Sequence, residues 1–83
     1  MEIRVLYFAA AREAVGLADE TLEVRAGVDV EEVTRLLAER HPRAGRVLAR
    51  CRLAVDRRLA KPSDPVPAGA EVALIPPVSG GSR

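Results

Sequence analysis

The stretch DVEEVTRLLAERHP, residues 29–42, decides the fold because it predicts one well-defined amphipathic helix. Asp29 stands three residues before Glu32, which is the spacing of a capping box at a helix N-terminus. Pro42 then ends the helix. Four apolar residues recur at three- and four-residue intervals and predict a single buried stripe: Val30, Val33, Leu36 and Leu37. Since that stripe must be buried, we expect this helix to cover one face of a sheet.

Apolar and β-branched segments on both sides of the helix predict the strands of that sheet. The first, EIRVLYF at 2–8, and the last, EVALI at 71–75, are apolar at nearly every position, which is typical of central strands. ETLEVRAG at 20–27 alternates and predicts a half-buried strand. The remaining expected elements are a short helix at 10–16 ended by Gly16, a helix or turn at 43–50, a strand at 51–55, a tight turn at Asp56 and Arg57 into a short strand at 58–60, and a proline-rich loop at 61–70.

This order of elements predicts an α+β protein with the β-grasp, or ubiquitin-like, architecture. We expect a mixed four- to five-stranded sheet with one main helix and short helical turns. The first and last strands should be neighbours at its centre, and hairpin geometry makes the second strand antiparallel to the first. A chain of 83 residues is long enough for one domain only. Residues 1–76 are therefore expected to form the β-grasp domain and residues 77–83 an extended, flexible C-terminal tail.

Composition and charge exclude several classes of protein. No stretch approaches the roughly 18 apolar residues of a membrane span. The N-terminal segment contains Arg4 within its apolar run and does not resemble a secretion signal. Cys51 is the single cysteine, so an internal disulfide cannot form, which suits a reducing compartment. These features predict a cytoplasmic protein that does not enter the membrane.

The net charge of +1 is unevenly distributed along the chain. Residues 43–61 contain seven basic residues and a single acid, whereas residues 1–42 are acidic overall. Such polarity could steer a partner, or it could be a solvated arginine-rich face. A nucleic-acid-binding module is a third interpretation, but the basic stretch has no aromatic residue on which bases could stack. We therefore expect no nucleic-acid partner.

The chain offers no recognisable catalytic constellation. His41 is the single histidine, and its place at the end of the main helix suits the negative end of the helix dipole. The sequence indicates no base that would deprotonate the Cys51 thiol, and small cysteines are common in protein cores. The domain is therefore expected to act as a substrate or carrier in the active sites of other proteins, and no metal or cofactor is expected on it.

The C-terminal stretch IPPVSGGSR, residues 75–83, leaves the last predicted strand through two prolines. The prolines favour a stiff, extended exit from the sheet. Gly80 and Gly81 lack Cβ atoms and make a slender, pliable chain that can enter a narrow channel. The letters SGGS alone are equally compatible with a flexible linker or a disordered end.

Two longer stretches carry a family resemblance. EIRVLYFAAAREAVG at the start and GAEVALIPPVSGG at the end resemble the small subunit of molybdopterin synthase, a ubiquitin-like sulfur carrier. The resemblance covers the whole chain and implies that the Gly81 carboxylate, preceded by Gly80, is the reactive group. A ubiquitin-activating-type adenylyltransferase would use ATP and magnesium to adenylate it, and a sulfur donor protein would convert it to a thiocarboxylate. The tail would then give its sulfur to cyclic pyranopterin monophosphate inside the large subunit of a heterotetrameric synthase.

The sequence departs from that pattern at its end, because Ser82 and Arg83 follow the glycine pair. A Gly81–Ser82 amide cannot be adenylated. Either the two residues are removed after synthesis, or they do not belong to the natural chain, or the protein is not a working carrier.

A partner also needs a surface. If the main helix covers the sheet face that holds Ile3, Val5 and Tyr7, the alternate residues Leu6 and Phe8 point the other way. An exposed apolar patch on so small a domain usually marks an interface, unless the short helical segments cover it. The resemblance places partner contacts at Phe8, Leu59, Ile75, Pro76, Pro77 and Val78.

The same fold and tail would also suit other tasks. The activated terminus could supply sulfur for thiamine synthesis or tRNA thiolation, or be joined to protein lysines as a ubiquitin-like modifier. Thiamine carriers are usually shorter and lack the additional helical segment, which disfavours that alternative.

Overall fold

A computed structural model of the chain describes residues 1–77. The strands form a single five-stranded sheet with the order β2-β1-β5-β3-β4, in which β1 and β5 are parallel and the other neighbours are antiparallel. The predicted β-grasp architecture is therefore confirmed, with the first and last strands adjacent at the centre. The elements are β1 (Glu2–Tyr7), α1 (Ala9–Val15), β2 (Asp19–Glu23), α2 (Val30–Arg40), a 3₁₀ turn (Pro42–Ala44), α3 (Gly45–Arg50), β3 (Arg52–Val55), β4 (Arg58–Leu59) and β5 (Glu71–Ile75).

Helix α2 begins as its sequence predicts. The Asp29 side chain accepts a hydrogen bond from the Glu32 backbone N–H at 2.9 Å. In a complete capping box the Glu32 side chain would in turn accept a hydrogen bond from the Asp29 backbone N–H. Here the Glu32 carboxylate instead accepts from the Arg25 guanidinium, whose Nε lies 3.1 Å away. Within the predicted apolar stripe Val30, Val33 and Leu37 are buried, and Leu36 is partly buried at the margin.

The core lies between the helices and one face of the sheet, here called the inner face. Ile3, Val5 and Tyr7 of β1 are almost completely buried there, as the alternation of the first strand predicted. The same cluster includes a residue from each helix and the inward residues of β5: Ala11, Val33, Leu37, Leu48, Val72 and Leu74. Within residues 1–77 all three helices therefore lie on one side, and no helix of these residues covers the opposite side of the sheet, here called the outer face.

The bounds of the second strand differ from the sequence prediction. The second strand was expected at 20–27, but β2 spans Asp19–Glu23. The chain turns earlier because the Val28 N–H donates to the Arg25 carbonyl and Gly27 adopts a φ of 86°, which ends strand pairing before α2. The turn after β3 follows the prediction, since Asp56 and Arg57 both adopt positive φ angles, as in tight two-residue hairpins.

No helix within residues 1–77 has the length and apolar character needed to cross a membrane.

Candidate functional site

The outer face carries a row of cross-strand neighbours that crosses four strands. The strand registers pair Leu6 of β1 with Ala73 of β5, Ala73 with Ala54 of β3, and Ala54 with Leu59 of β4. Paired residues point to the same side of a sheet, so this row is apolar from end to end. The two central residues of the row are alanines with small side chains, whereas Leu59 lies on the edge strand and has 60% of its surface exposed.

A second row lies closer to the C-terminal end of β5. Ile75 pairs with Arg52 of β3, and the parallel register of Tyr7 with Leu74 places Phe8 beside Ile75. Phe8 is 48% exposed and Ile75 is 38% exposed, although both are large and apolar. The expectation that Phe8 points away from the core is therefore confirmed, and neither short helix of residues 1–77 covers it. Its role in partner binding remains a prediction.

Sequence reasoning missed one member of this surface, Leu17. It is 42% exposed and follows Gly16 in the turn between α1 and β2. The Tyr7 N–H donates to the Ala18 carbonyl at 2.9 Å, so the antiparallel register extends beyond the first residue of β2 and places Leu17 opposite Phe8. A single leucine in a turn has no periodic pattern, and only the register reveals its position. Leu17, Phe8 and Ile75 thus extend the second row across three strands.

The tail begins at the end of this second row. Ile75 is the last residue of β5, Pro76 is partly buried and Pro77 is exposed. The other predicted site residues, Val78, Gly80 and Gly81, lie outside the described residues. Three of the four large exposed apolar side chains of residues 1–77, Leu17, Phe8 and Ile75, therefore lie in the row at which β5 ends and the chain continues toward the glycine pair.

The Cys51 thiol, one of the two reactive side chains that the sequence singled out, is not activated as a nucleophile. Burial raises the pKa of the Cys51 thiol, whose Sγ lies 3.3 Å from the Val47 carbonyl oxygen, so the nucleophilic thiolate is disfavoured. Residues 1–77 also contain no cluster of His, Cys, Asp and Glu that could hold a metal ion.

His41 belongs to a polar cluster that the sequence did not predict. The Glu20 carboxylate accepts from the Tyr7 hydroxyl at 2.5 Å and from Arg40 Nε at 2.8 Å, and it lies 2.6 Å from His41 Nε2. Burial alone would raise the pKa of Glu20, but hydrogen bonds from Tyr7 and His41 and the charges of His41 and Arg40 outweigh it and lower that pKa. The cluster therefore links the paired strands β1 and β2 to the C-terminal end of α2.

We expect Glu20→Ala to lower the free energy of unfolding by about 1–3 kcal/mol at neutral pH, because it leaves the buried Tyr7 hydroxyl without an acceptor. Tyr7→Phe removes one hydrogen bond and leaves Glu20 its other donors, so its loss should be smaller, about 1 kcal/mol. Urea unfolding of the two variants beside the wild type measures both. A Glu20→Ala variant as stable as the wild type would show that the cluster contributes nothing.

The same variant gives a pH dependence with a definite sign. Because the pKa of Glu20 is lower in the folded protein than its ordinary value of 4.5, its stabilisation is complete above that value. It is lost as the pH falls through the lower folded pKa. The stability difference between wild type and Glu20→Ala should therefore shrink on acidification.

The fold and the outer face together define a class of protein: a ubiquitin-like β-grasp domain with exposed apolar residues on the sheet face where β5 ends, followed in the sequence by a glycine pair. The family model described as the ThiS family matches residues 5–81, and the chain belongs to this family.

Similar proteins cover the chain from end to end. The molybdopterin synthase sulfur carrier subunit of Chlamydomonas reinhardtii is 37% identical over 83 residues, an alignment that covers 98% of this chain and 100% of that protein. The protein of the same name from Mycobacterium tuberculosis is 39% identical over 85 residues and is covered to 99%, against 98% of this chain. Among solved structures, SAMP1 from Haloferax volcanii has a TM-score of 0.86 at 26% identity, covering 98% of this chain and 100% of that one.

Proposed function

We propose that this protein is a sulfur carrier subunit of molybdopterin synthase, and that its reagent is a thiocarboxylate on Gly81. The observation that carries the proposal is the end-to-end similarity to relatives named molybdopterin synthase sulfur carrier subunit. The outer face supports it, because the exposed apolar residues Leu17, Phe8 and Ile75 lie in the row at which β5 ends and the chain continues toward the glycine pair. The large synthase subunit would be the partner that receives the tail.

The proposed chemistry explains why the tail, and not the body, is reactive. A free carboxylate is a poor acyl donor because an oxide would have to leave. Attack of the Gly81 carboxylate on the α-phosphate of ATP releases pyrophosphate and gives an acyl-adenylate, from which AMP leaves readily when sulfur attacks. Glycine keeps the acyl carbon unhindered, since it carries no Cβ. The adenylyltransferase supplies ATP and magnesium, and the sulfur donor protein supplies the sulfur.

The folded body would serve recognition in each of these steps. Both the activating enzyme and the large subunit must hold the same terminus in an active site, so they cannot be bound to one molecule at once. An exposed apolar patch beside the tail provides a surface that each can cover in turn. Phe8, Leu59 and Ile75, with Pro76, Pro77 and Val78 at the start of the tail, are the residues proposed for this contact.

The test is thiocarboxylate formation on a chain that ends at Gly81. We expect incubation with ATP, magnesium, the activating enzyme and the sulfur donor to add the mass difference of one sulfur replacing one oxygen. The matched control is the 83-residue chain, in which Gly81 is blocked by an amide to Ser82 and no gain should occur. Mass spectrometry of the intact chains reads both, and full conversion of a chain shown to retain Arg83 would contradict the proposal.

A second candidate is a ubiquitin-like protein modifier, favoured by the close structural likeness to SAMP1, a small archaeal modifier protein. The adenylated Gly81 would then be joined to lysine side chains of target proteins. Denaturing gels of cells that express the tagged chain distinguish the two functions, because a modifier gives covalent conjugates of higher mass. Transfer of sulfur to thiamine precursors or tRNA is a further use that the same activated terminus would allow.

A further inference from the structure

The outer face is electrically asymmetric. On the β1–β2 side, the Arg4 guanidinium lies 3.5 Å from the Asp19 carboxylate and forms an ion pair within the chain. On the β3–β4 side three arginines are exposed: Arg52 is on the outer face, Arg57 is in the turn, and Arg58, which pairs with Val55, is on the inner side. None of the three forms an ion pair with a carboxylate of residues 1–77. Within residues 1–77, Arg52 is therefore a cation without an intrachain carboxylate partner at one margin of the apolar surface.

Arg52 has the most specific position of the three. It is the cross-strand neighbour of Ile75, and Ile75 lies beside Phe8, so a guanidinium ends the row of exposed apolar side chains. The same register places Arg52 next to the last strand residue before the tail. A surface that covers Phe8 and Ile75 must therefore also approach Arg52 and remove part of its water.

We propose that Arg52 selects the partner by pairing with a carboxylate on the protein surface that covers Phe8 and Ile75. The inference rests on the proposed function, in which the large synthase subunit covers this face. A guanidinium binds a carboxylate through two parallel hydrogen bonds and stays charged, so it specifies both the charge and the orientation of the opposing group. A surface without a carboxylate there leaves a desolvated cation unpaired and is disfavoured.

The lack of an ion pair between Arg52 and any carboxylate of residues 1–77 agrees with this role. An exposed ion pair within the chain would add little to stability, and breaking it would oppose partner binding. An arginine that is free in solution keeps its donors available and also attracts an acidic surface during the approach. Arg52 therefore acts on the choice and the orientation of the partner and takes no part in the sulfur chemistry.

The experiment measures association and dissociation of the chain with the large synthase subunit by surface plasmon resonance at low and moderate salt. We expect Arg52→Glu to weaken binding at least about tenfold more than Arg46→Glu, since a misplaced like charge at an interface is repulsive. Arg46 is an exposed residue of α3, on the helical side of the sheet, and its reversal changes the net charge equally. The excess effect of Arg52→Glu should decrease as salt rises.

The outcomes separate the two proposals. A wild-type chain that does not bind the large subunit contradicts the proposed function. A wild-type chain that binds, together with equal effects of Arg52→Glu and Arg46→Glu, contradicts the role of Arg52 alone. Thermal melts verify that each variant is folded, and Arg52→Gln, which removes the charge without reversing it, replaces Arg52→Glu if the latter unfolds. Arg52→Gln must then also bind more weakly than the matched Arg46→Gln.

Discussion

A chain shortened to Ser79, without Gly80, Gly81 and the two residues after them, is expected to lose sulfur transfer completely. Two extended residues span about 7 Å, so the new carboxylate would stop short of the position that the partners' active sites require. It would also stand on a residue with a Cβ, which hinders attack on the acyl carbon. The measurements are the mass of the thiocarboxylate and the formation of product by the reconstituted synthase.

The stability of the shortened chain should not change. The core that the structure describes within residues 1–77 lies entirely before the deleted residues, so the deletion removes none of its members. Urea unfolding of the full and shortened chains is expected to give the same midpoint, and a chain that lacks only Ser82 and Arg83 is the active control. Undiminished product formation by the chain ending at Ser79 would overturn the proposed function.

Phe8→Asp is expected to weaken binding of the large subunit by about 100-fold, or about 2.7 kcal/mol. A half-exposed phenylalanine beside Ile75 loses its remaining water when a partner covers it, and aromatic residues at the centre of an interface often dominate its affinity. Aspartate at that point instead places a charge in an apolar contact. Isothermal titration calorimetry with the wild type and the variant measures the difference.

The melting temperature of the Phe8→Asp variant should remain close to that of the wild type. Phe8 is the N-cap residue of α1 and makes no side-chain capping hydrogen bond, whereas aspartate is a favoured N-cap. Part of the buried area of Phe8 is lost, but a capping bond offsets it. Ala49→Asp, an exposed site on α3, adds the same charge on the opposite side of the sheet and should leave binding unchanged. Loss of binding and of stability to the same degree would identify Phe8 as a core residue.

The fold was largely predictable because its signals are local and periodic. The stripe and cap of α2, the apolar character of β1 and β5, and the turn at Asp56 and Arg57 each follow from short-range rules of helices and hairpins. The predicted end of β2 was wrong because the sequence ETLEVRAG continues to alternate between polar and apolar residues after the backbone has turned toward Gly27. An alternating pattern predicts which side chains face the core, but it does not predict the residue at which strand pairing stops.

The site was predictable only in part. The alternation of β1 placed Phe8 on the uncovered face, because a period of two fixes the side to which a side chain points. The contact of Glu20 with His41 joins residues 21 positions apart, and no local pattern reports such a pair. Leu17 was missed for the same reason, since its place beside Phe8 depends on strand register.

The central position of β5 has a mechanical consequence. The strand that continues into the tail is held by β1 on one side and by β3 on the other. A pull along the tail therefore loads two ladders of hydrogen bonds together and along their length, so that many bonds resist at once. A terminal strand at the border of the sheet would be held by one ladder only. Under the proposed function, this double attachment would help the domain to resist traction on its C-terminus when a partner's active site takes up the tail.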